Sequence, residues 1–278
     1  MRRIAFGLVV VFLAASAVAA LAQETQTTSL ASVPAATRSQ ADCTGFIASP
    51  SVPDNLFVVG GADDDFHSLV RYFSPGDSIF ISSRGGQDFV VGTEYSVVRR
   101  AKDIFRTQRY SRQGWDINRQ GKPYEDIGRV KVTHASPFGA VAEVAFACGP
   151  ILSGDLLVPY QPRPIPEYTG GKQLDLFAPP DENKQHGMIT AALNNFGFVG
   201  ERNVVYLNLG EDVGIKPGQR FRIIKPLPPH PTGFMRSERT PPETIGEAVV
   251  LSVQANSCVA IVVDSVREVS AGDAVETE

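Results

Sequence analysis

The chain repeats itself. Ser78-Ile79-Phe80-Ile81-Ser82 and the following Gly92-Thr93-Glu94-Tyr95-Ser96-Val97-Val98 are matched by Val204-Val205-Tyr206-Leu207-Asn208 and Gly218-Gln219-Arg220-Phe221-Arg222-Ile223-Ile224, both at an offset of 126 residues. Ile127–Val132, Ala140–Val144 and Ile151–Asp155 are matched by Ile245–Val250, Cys258–Val262 and Val269–Asp273 at an offset of 118. The change of offset puts eight extra residues into the first copy, between Val98 and Ile127. A repeat that keeps its apolar runs and its glycines while one loop varies in length is the signature of a duplicated domain.

Each copy reads as all-β. Tyr95-Ser96-Val97 and Phe221-Arg222-Ile223 alternate with period two, and β-branched residues dominate the runs. Gly92, Gly154, Gly218 and Gly272 start or precede strands, where a tight turn requires positive φ. Five or six short strands in about 95 residues predict a small closed or half-closed barrel, because closure removes exposed sheet edges. The expected fold class is therefore all-β, with two tandem small β-barrel-like domains from an internal duplication, joined by a Pro-rich linker. The expected repeats are residues 42–160 and 187–278, with the linker at 161–186. Pro at that density cannot join the interior of a sheet or helix. The one stretch with helical character is short, around Asp64–Phe73.

The N-terminus carries an address. Arg2 and Arg3 precede the apolar run Ile4–Leu13, and Ala20-Leu21-Ala22 supplies the small-x-small pattern of a signal-peptidase site. Residues 1–22 read as a cleaved Sec-type secretory signal; the rival reading is an uncleaved anchor, since Ile4–Ala22 is uncharged and nearly long enough to span. No later stretch is long and apolar enough to span, so no membrane span is expected after cleavage. Residues 23–41 are rich in Thr, Ser and Ala without apolar period, and are expected to be a flexible leader. No N-x-S/T glycosylation pattern occurs, so a bacterial periplasmic or secreted protein is the simplest expectation. That compartment permits disulfides. Cys43 and Cys148 are the disulfide candidates, and a bridge would tie the N-terminal arm to a late strand; three unpaired buried thiols is the alternative. Cys258, in the apolar run Cys258–Val263, reads as a buried thiol.

The second copy contains Val205-Tyr206-Leu207-Asn208-Leu209-Gly210, then Val213-Gly214-Ile215-Lys216-Pro217-Gly218-Gln219-Arg220-Phe221, Ile245-Gly246-Glu247 and Gly272-Asp273. This pattern resembles the C-terminal domain of the flagellar assembly protein T family, and the repeats that accompany LysM modules in bacterial envelope proteins. It covers residues 187–278 and, more weakly, 54–160. The resemblance implies a small β-barrel used for assembly or binding in the periplasm, and it brings no catalytic residues.

The residues offer little chemistry of their own. Gly210, Gly214 and Gly218 are spaced like a phosphate loop but lack the Gly-Lys-Ser/Thr ending and a following helix, so they read as turns. Gly170-Gly171-Lys172 fails in the same way. Asp63-Asp64-Asp65 lacks the alternating ligands and distal Glu of a calcium loop, and the four His are scattered. No catalytic, metal-binding or cofactor-binding residues are expected, and no cofactor. The net charge of −4 argues against a nucleic-acid partner. That charge is unevenly spread. Arg99–Lys122, the stretch with the insertion, holds eight basic residues against two acidic ones. Arg99, Arg100, Lys102, Phe105, Arg106, Arg109, Tyr110, Arg112 and Trp115 form a candidate binding loop, because cationic side chains beside exposed aromatics suit anionic glycans or acidic protein faces. The bland reading is a solvated hairpin whose aromatics pack on the barrel. The expected function is a non-catalytic envelope interaction or assembly protein that binds another envelope protein. The alternative is a peptidoglycan- or glycan-binding module using this cationic aromatic loop; an enzyme with a site between the barrels is the third reading.

Overall fold

The computed structural model describes residues 32–61, 72–102, 107–169, 174–225, 230–232, 236–238 and 242–278. The signal segment 1–22, residues 23–31 of the expected leader, residues 64–71 of the expected helical stretch Asp64–Phe73, Asp63–Asp65, His67 and Gly170-Gly171-Lys172 lie outside these residues; Phe73 itself forms a β-bridge with Ile151 and is not helical.

In chain order the elements are β1 (Ser32–Pro34), α1 (Arg38–Asp42), β2 (Phe46–Ala48), β3 (Leu56–Gly61), β4 (Ser78–Ser83), β5 (Glu94–Arg100), α2 (Gln113–Gln120), β6 (Lys122–Ser136), β7 (Gly139–Ala147), β8 (Leu156–Pro159) and β9 (Glu167–Thr169). The second half adds β10 (His186–Ala192), β11 (Val204–Leu207), β12 (Arg220–Lys225), β13 (His230–Thr232), β14 (Arg236–Glu238), β15 (Glu243–Gln254), β16 (Ser257–Ser265) and β17 (Ala274–Thr277). The fold is all-β with two closed six-stranded barrels. The first runs β6-β5-β8-β3-β4-β7 and closes by pairing β7 with β6; the second runs β15-β12-β17-β10-β11-β16 and closes on β15. Strand for strand the two orders are the same.

The duplication extends to register. Gly128 pairs with Ala147 in the first barrel and Gly246 with Ser265 in the second. The β-bulge between Arg129 and Val130 recurs between Glu247 and Ala248, and the isolated bridge Phe73–Ile151 recurs as Val199–Val269. Both bulges sit in the long strand that must bend to close the ring. The paired glycines are required by close approach: a Cβ on Gly128 would lie 2.4 Å from the Phe146 carbonyl oxygen, and one on Gly246 2.4 Å from that of Asp264. The interiors match as well. Ile79, Ile81, Tyr95, Val97 and Ile127 fill the first barrel where Val205, Leu207, Phe221, Ile223 and Ile245 fill the second. Cys258 is a free buried thiol standing where the first barrel has Ala140. It fills core volume, and burial raises its pKa.

The two barrels form parts of one compact unit, Ser32–Glu278. Three segments cover the outside of the second barrel. β2 pairs with the first three residues of β6 and seats Phe46, Ile47 and Ala48 against Ala191, Val204, Tyr206 and Val259. The Tyr206 hydroxyl donates to the Thr44 carbonyl at 2.6 Å, and the Ser257 hydroxyl to the Ile47 carbonyl at 2.8 Å. α2 packs beside β2. Elsewhere, β1 and β9 pair as a ribbon that lays Ala36 and Tyr168 over Val249, Leu251 and Ile261.

That ribbon corrects one expectation. Residues 32–41 are not a flexible leader. They form β1 and then α1, whose N-cap Thr37 makes a reciprocal capping box with Gln40. The Pro-rich linker 161–186 packs on the fold as it joins the barrels. Its prolines keep it out of a sheet interior, but β9 pairs along one edge, and a part-buried Arg163 forms a bidentate ion pair with the buried Asp126. Asp126 also accepts from the Gly45 amide, and Arg163 also donates to the Ala41 carbonyl. Cys43 and Cys148 are disulfide-bonded, with Cα atoms 5.6 Å apart. Bridge and ion pair together hold the chain just before β2.

Replacing Arg163 by Ala leaves Asp126 buried and unpaired, and is expected to lower unfolding free energy by about 3–5 kcal/mol in urea titration. Reducing the Cys43–Cys148 bridge, or replacing both residues by Ser, releases a loop of 105 residues and is expected to cost about 2–5 kcal/mol in the same measurement.

Candidate functional site

The insertion is not a solvated hairpin. It folds as the helix α2, wedged against the second barrel. Gln113, Ile117 and Gln120 recur at helical spacing and are buried. The Gln113 amide nitrogen donates to the Thr190 carbonyl at 2.8 Å, and the Thr190 hydroxyl lies 3.3 Å from the Gln120 amide oxygen. Ile117 belongs to the apolar cluster that joins β2, Tyr124 and Tyr206. The helix starts at Arg112, in the left-handed region at φ 70°, and stops at Gly121, where a Cβ would strike the Ala48 carbonyl.

The candidate loop residues therefore divide. Arg99 is committed within the first barrel: its guanidinium donates to both carboxylate oxygens of Asp155 at 2.7 Å. The second barrel repeats the arrangement as Lys225 and Asp273, 3.7 Å apart. Arg100 and Lys102 are exposed at the end of β5. Arg109 reaches the second barrel and donates to the Asn195 carbonyl at 2.6 Å. Tyr110 packs over Gly272, and burial raises the pKa of its phenol. Phe105 and Arg106 lie outside the described residues.

Arg112 and Trp115 come together on the solvent side of α2, and Arg119, which sequence reasoning did not single out, joins them. Their guanidinium carbons lie 4.3 Å and 4.7 Å from the indole centroid, within cation–π range. Trp115 remains 48% exposed. The helix thus has two faces: an inward amide–isoleucine–amide stripe that anchors it, and an outward Arg–Trp–Arg cluster held on a rigid element. Beside the cluster is a polar cleft of about 330 Å³, between Asp116, Arg119 and Gln120 of α2 and Asn208, Asp212 and Asn256 of the second barrel. Its walls are amides, carboxylates and one guanidinium, which suit a ligand rich in hydroxyl and amide groups.

The remaining motifs behave as structure. Gly214 and Gly218 take positive φ in the turns between β11 and β12. The ring of His186 is 2.9 Å from the Asp181 carbonyl oxygen, and that of His134 is 3.2 Å from the Thr133 hydroxyl. Among the described residues no three His, Cys, Asp or Glu side chains are placed to share a metal ion, and no helix is long and apolar enough to cross a membrane.

The two faces of α2 are expected to respond differently to mutation. Ile117→Ala should destabilise the chain by about 2–5 kcal/mol, as for other buried aliphatic truncations. Replacing Arg112, Trp115 and Arg119 together by Ala should leave the urea midpoint within the range of surface substitutions, about 0.5 kcal/mol per site. Comparison of the chain with protein-family profiles and with curated proteins returned no match.

Proposed function

We propose that this chain is a non-catalytic interaction protein of the bacterial envelope, and that it binds another envelope protein through the outward face of α2. The observation that carries the reading is the Arg112–Trp115–Arg119 cluster. Trp and Arg are the residues most often responsible for binding energy at protein interfaces, and here they sit on a helix immobilised from behind, so little ordering entropy is lost on docking. The cationic face suits a partner with an acidic surface. The signal-like N-terminus and the disulfide support an oxidising, extracytoplasmic address. The flagellar-assembly resemblance supports a role in assembly over one in catalysis.

The polar cleft beside α2 favours a second reading, recognition of peptidoglycan, in which sugar hydroxyls and amides meet Asp116, Asn208, Asp212 and Asn256. The two readings separate in one pair of assays. Immobilised mature protein is exposed to envelope extract from its native cell, and, separately, co-sedimented with protein-free sacculi. The interaction reading expects one envelope protein to be retained by the wild type and lost about 30-fold by the Arg112, Trp115, Arg119 triple-Ala variant, with no sacculus pelleting. Pelleting with sacculi that is lost in Asn208→Ala and Asn256→Ala would favour the glycan reading. A partner retained equally by wild type and triple variant would remove the α2 face from the argument.

A further inference from the structure

The duplication supplies a comparison within one molecule. On the second barrel the outward residues Thr190, Tyr206, Ser257 and Val259 are all buried beneath β2 and α2. By register their counterparts on the first barrel are Val59, Phe80, Gly139 and Val141. Among the described residues no segment covers that face. Phe80 is 44% exposed and Val59 48%, whereas Tyr206 is 6% exposed. Phe138, at the tip of the β6–β7 turn, is 94% exposed. Together they border a hollow of about 390 Å³, larger than one aromatic side chain.

We infer that this face of the first barrel pairs with the same face of a second copy of the chain, about a two-fold axis, each copy seating its Phe138 in the hollow bounded by Val59, Phe80 and Val141 of the other. Three observations select this occupant. The groups that hold β2 on the second barrel are hydroxyls: Tyr206 donates to the Thr44 carbonyl just before the strand and Ser257 to the Ile47 carbonyl within it. Their counterparts Phe80 and Gly139 have no side-chain donor, so the first barrel is not built to hold an extended strand in this way. It is built to meet another apolar surface. Next, the patch carries a protruding knob beside a hollow, so it is complementary to itself, as a two-fold interface must be. Finally, among the described residues His134 is the only ionisable one that lines it, so the described lining brings no like-charge pair to a two-fold contact. Eleven residues line the patch, against about 20–30 a side in a standard interface, which makes the pair weak and concentration-dependent. The site is separate from the α2 face, so this inference stands or falls independently of the proposed function.

The test is sedimentation velocity with light scattering on the disulfide-intact mature chain over a wide concentration series. The mass is expected to rise from one chain towards two. Phe138→Asp and Val59→Asp are each expected to weaken pairing at least about 10-fold. Both side chains are substantially exposed, so thermal melting should stay at the wild-type value. Phe198→Asp alters an exposed phenylalanine on the second barrel and should leave pairing unchanged. A single-chain mass at every concentration would overturn the inference, including the case in which a different protein occupies the face. A dimer insensitive to both Phe138→Asp and Val59→Asp would overturn it as well.

Discussion

A six-stranded barrel this small can bury one side of each strand in its own interior. β11 and β16 are apolar on both sides, and their outward residues Val204, Tyr206 and Val259 have to be taken out of water by something else. The rest of the structure follows from that need. The cover comes from sequence-distant pieces: β2 before the first barrel and α2 inside it, with the β1–β9 ribbon over the neighbouring face. Because β2 pairs with β6 and α2 connects β5 to β6, covering the second barrel joins it to the first. Tyr206 contributes a donor as well as a ring. Burial keeps its phenol protonated, so it remains a donor to the Thr44 carbonyl.

Such a cover is useful only if its ends are held. The Cys43–Cys148 bridge ties the chain just before β2 to the end of β7. Asp126 and Arg163 tie the same region to the Pro-rich segment through a bidentate, part-buried pair, and the Gly45 amide and Ala41 carbonyl add further bonds to it. Buried charge is costly unless fully hydrogen-bonded. Here the bonds come from the very segments that must be held in register, so the pair specifies position as well as contributing energy. The duplicated position opposite is Thr244, which has no charge. The device belongs to the joint and has no counterpart in the second barrel.

Divergence between the copies made them unequal. The eight-residue insertion lets the first barrel reach across with α2, and the second barrel has hydroxyls where it receives β2. The first barrel carries Phe80, Val59 and Gly139 at the matching positions and leaves that face exposed. The second barrel thus buries this outward face, and the first leaves the matching face partly exposed. The same insertion serves structure on its inner side, through Gln113, Ile117 and Gln120, and presents Arg112, Trp115 and Arg119 on its outer side.

By itself the sequence determined the duplication, its all-β barrel-like character and the varying loop, because period-two alternation and matched glycines are local properties of the chain. The Cys43–Cys148 pair was readable as a candidate. Only the tertiary structure decided the remainder. α2 escaped notice because its buried stripe contains two glutamines, whose burial makes sense only once Thr190 is beside them. The 161–186 segment read as a linker because its prolines exclude a sheet interior, while nothing local reveals that Arg163 meets Asp126, 37 residues away. Charge counting exposed the basic stretch but could not divide Arg99, spent on Asp155, from Arg112, left facing water. Which polar group is structural and which is free depends on the partner across the fold, and that partner is set by packing over distances that sequence periodicity does not encode.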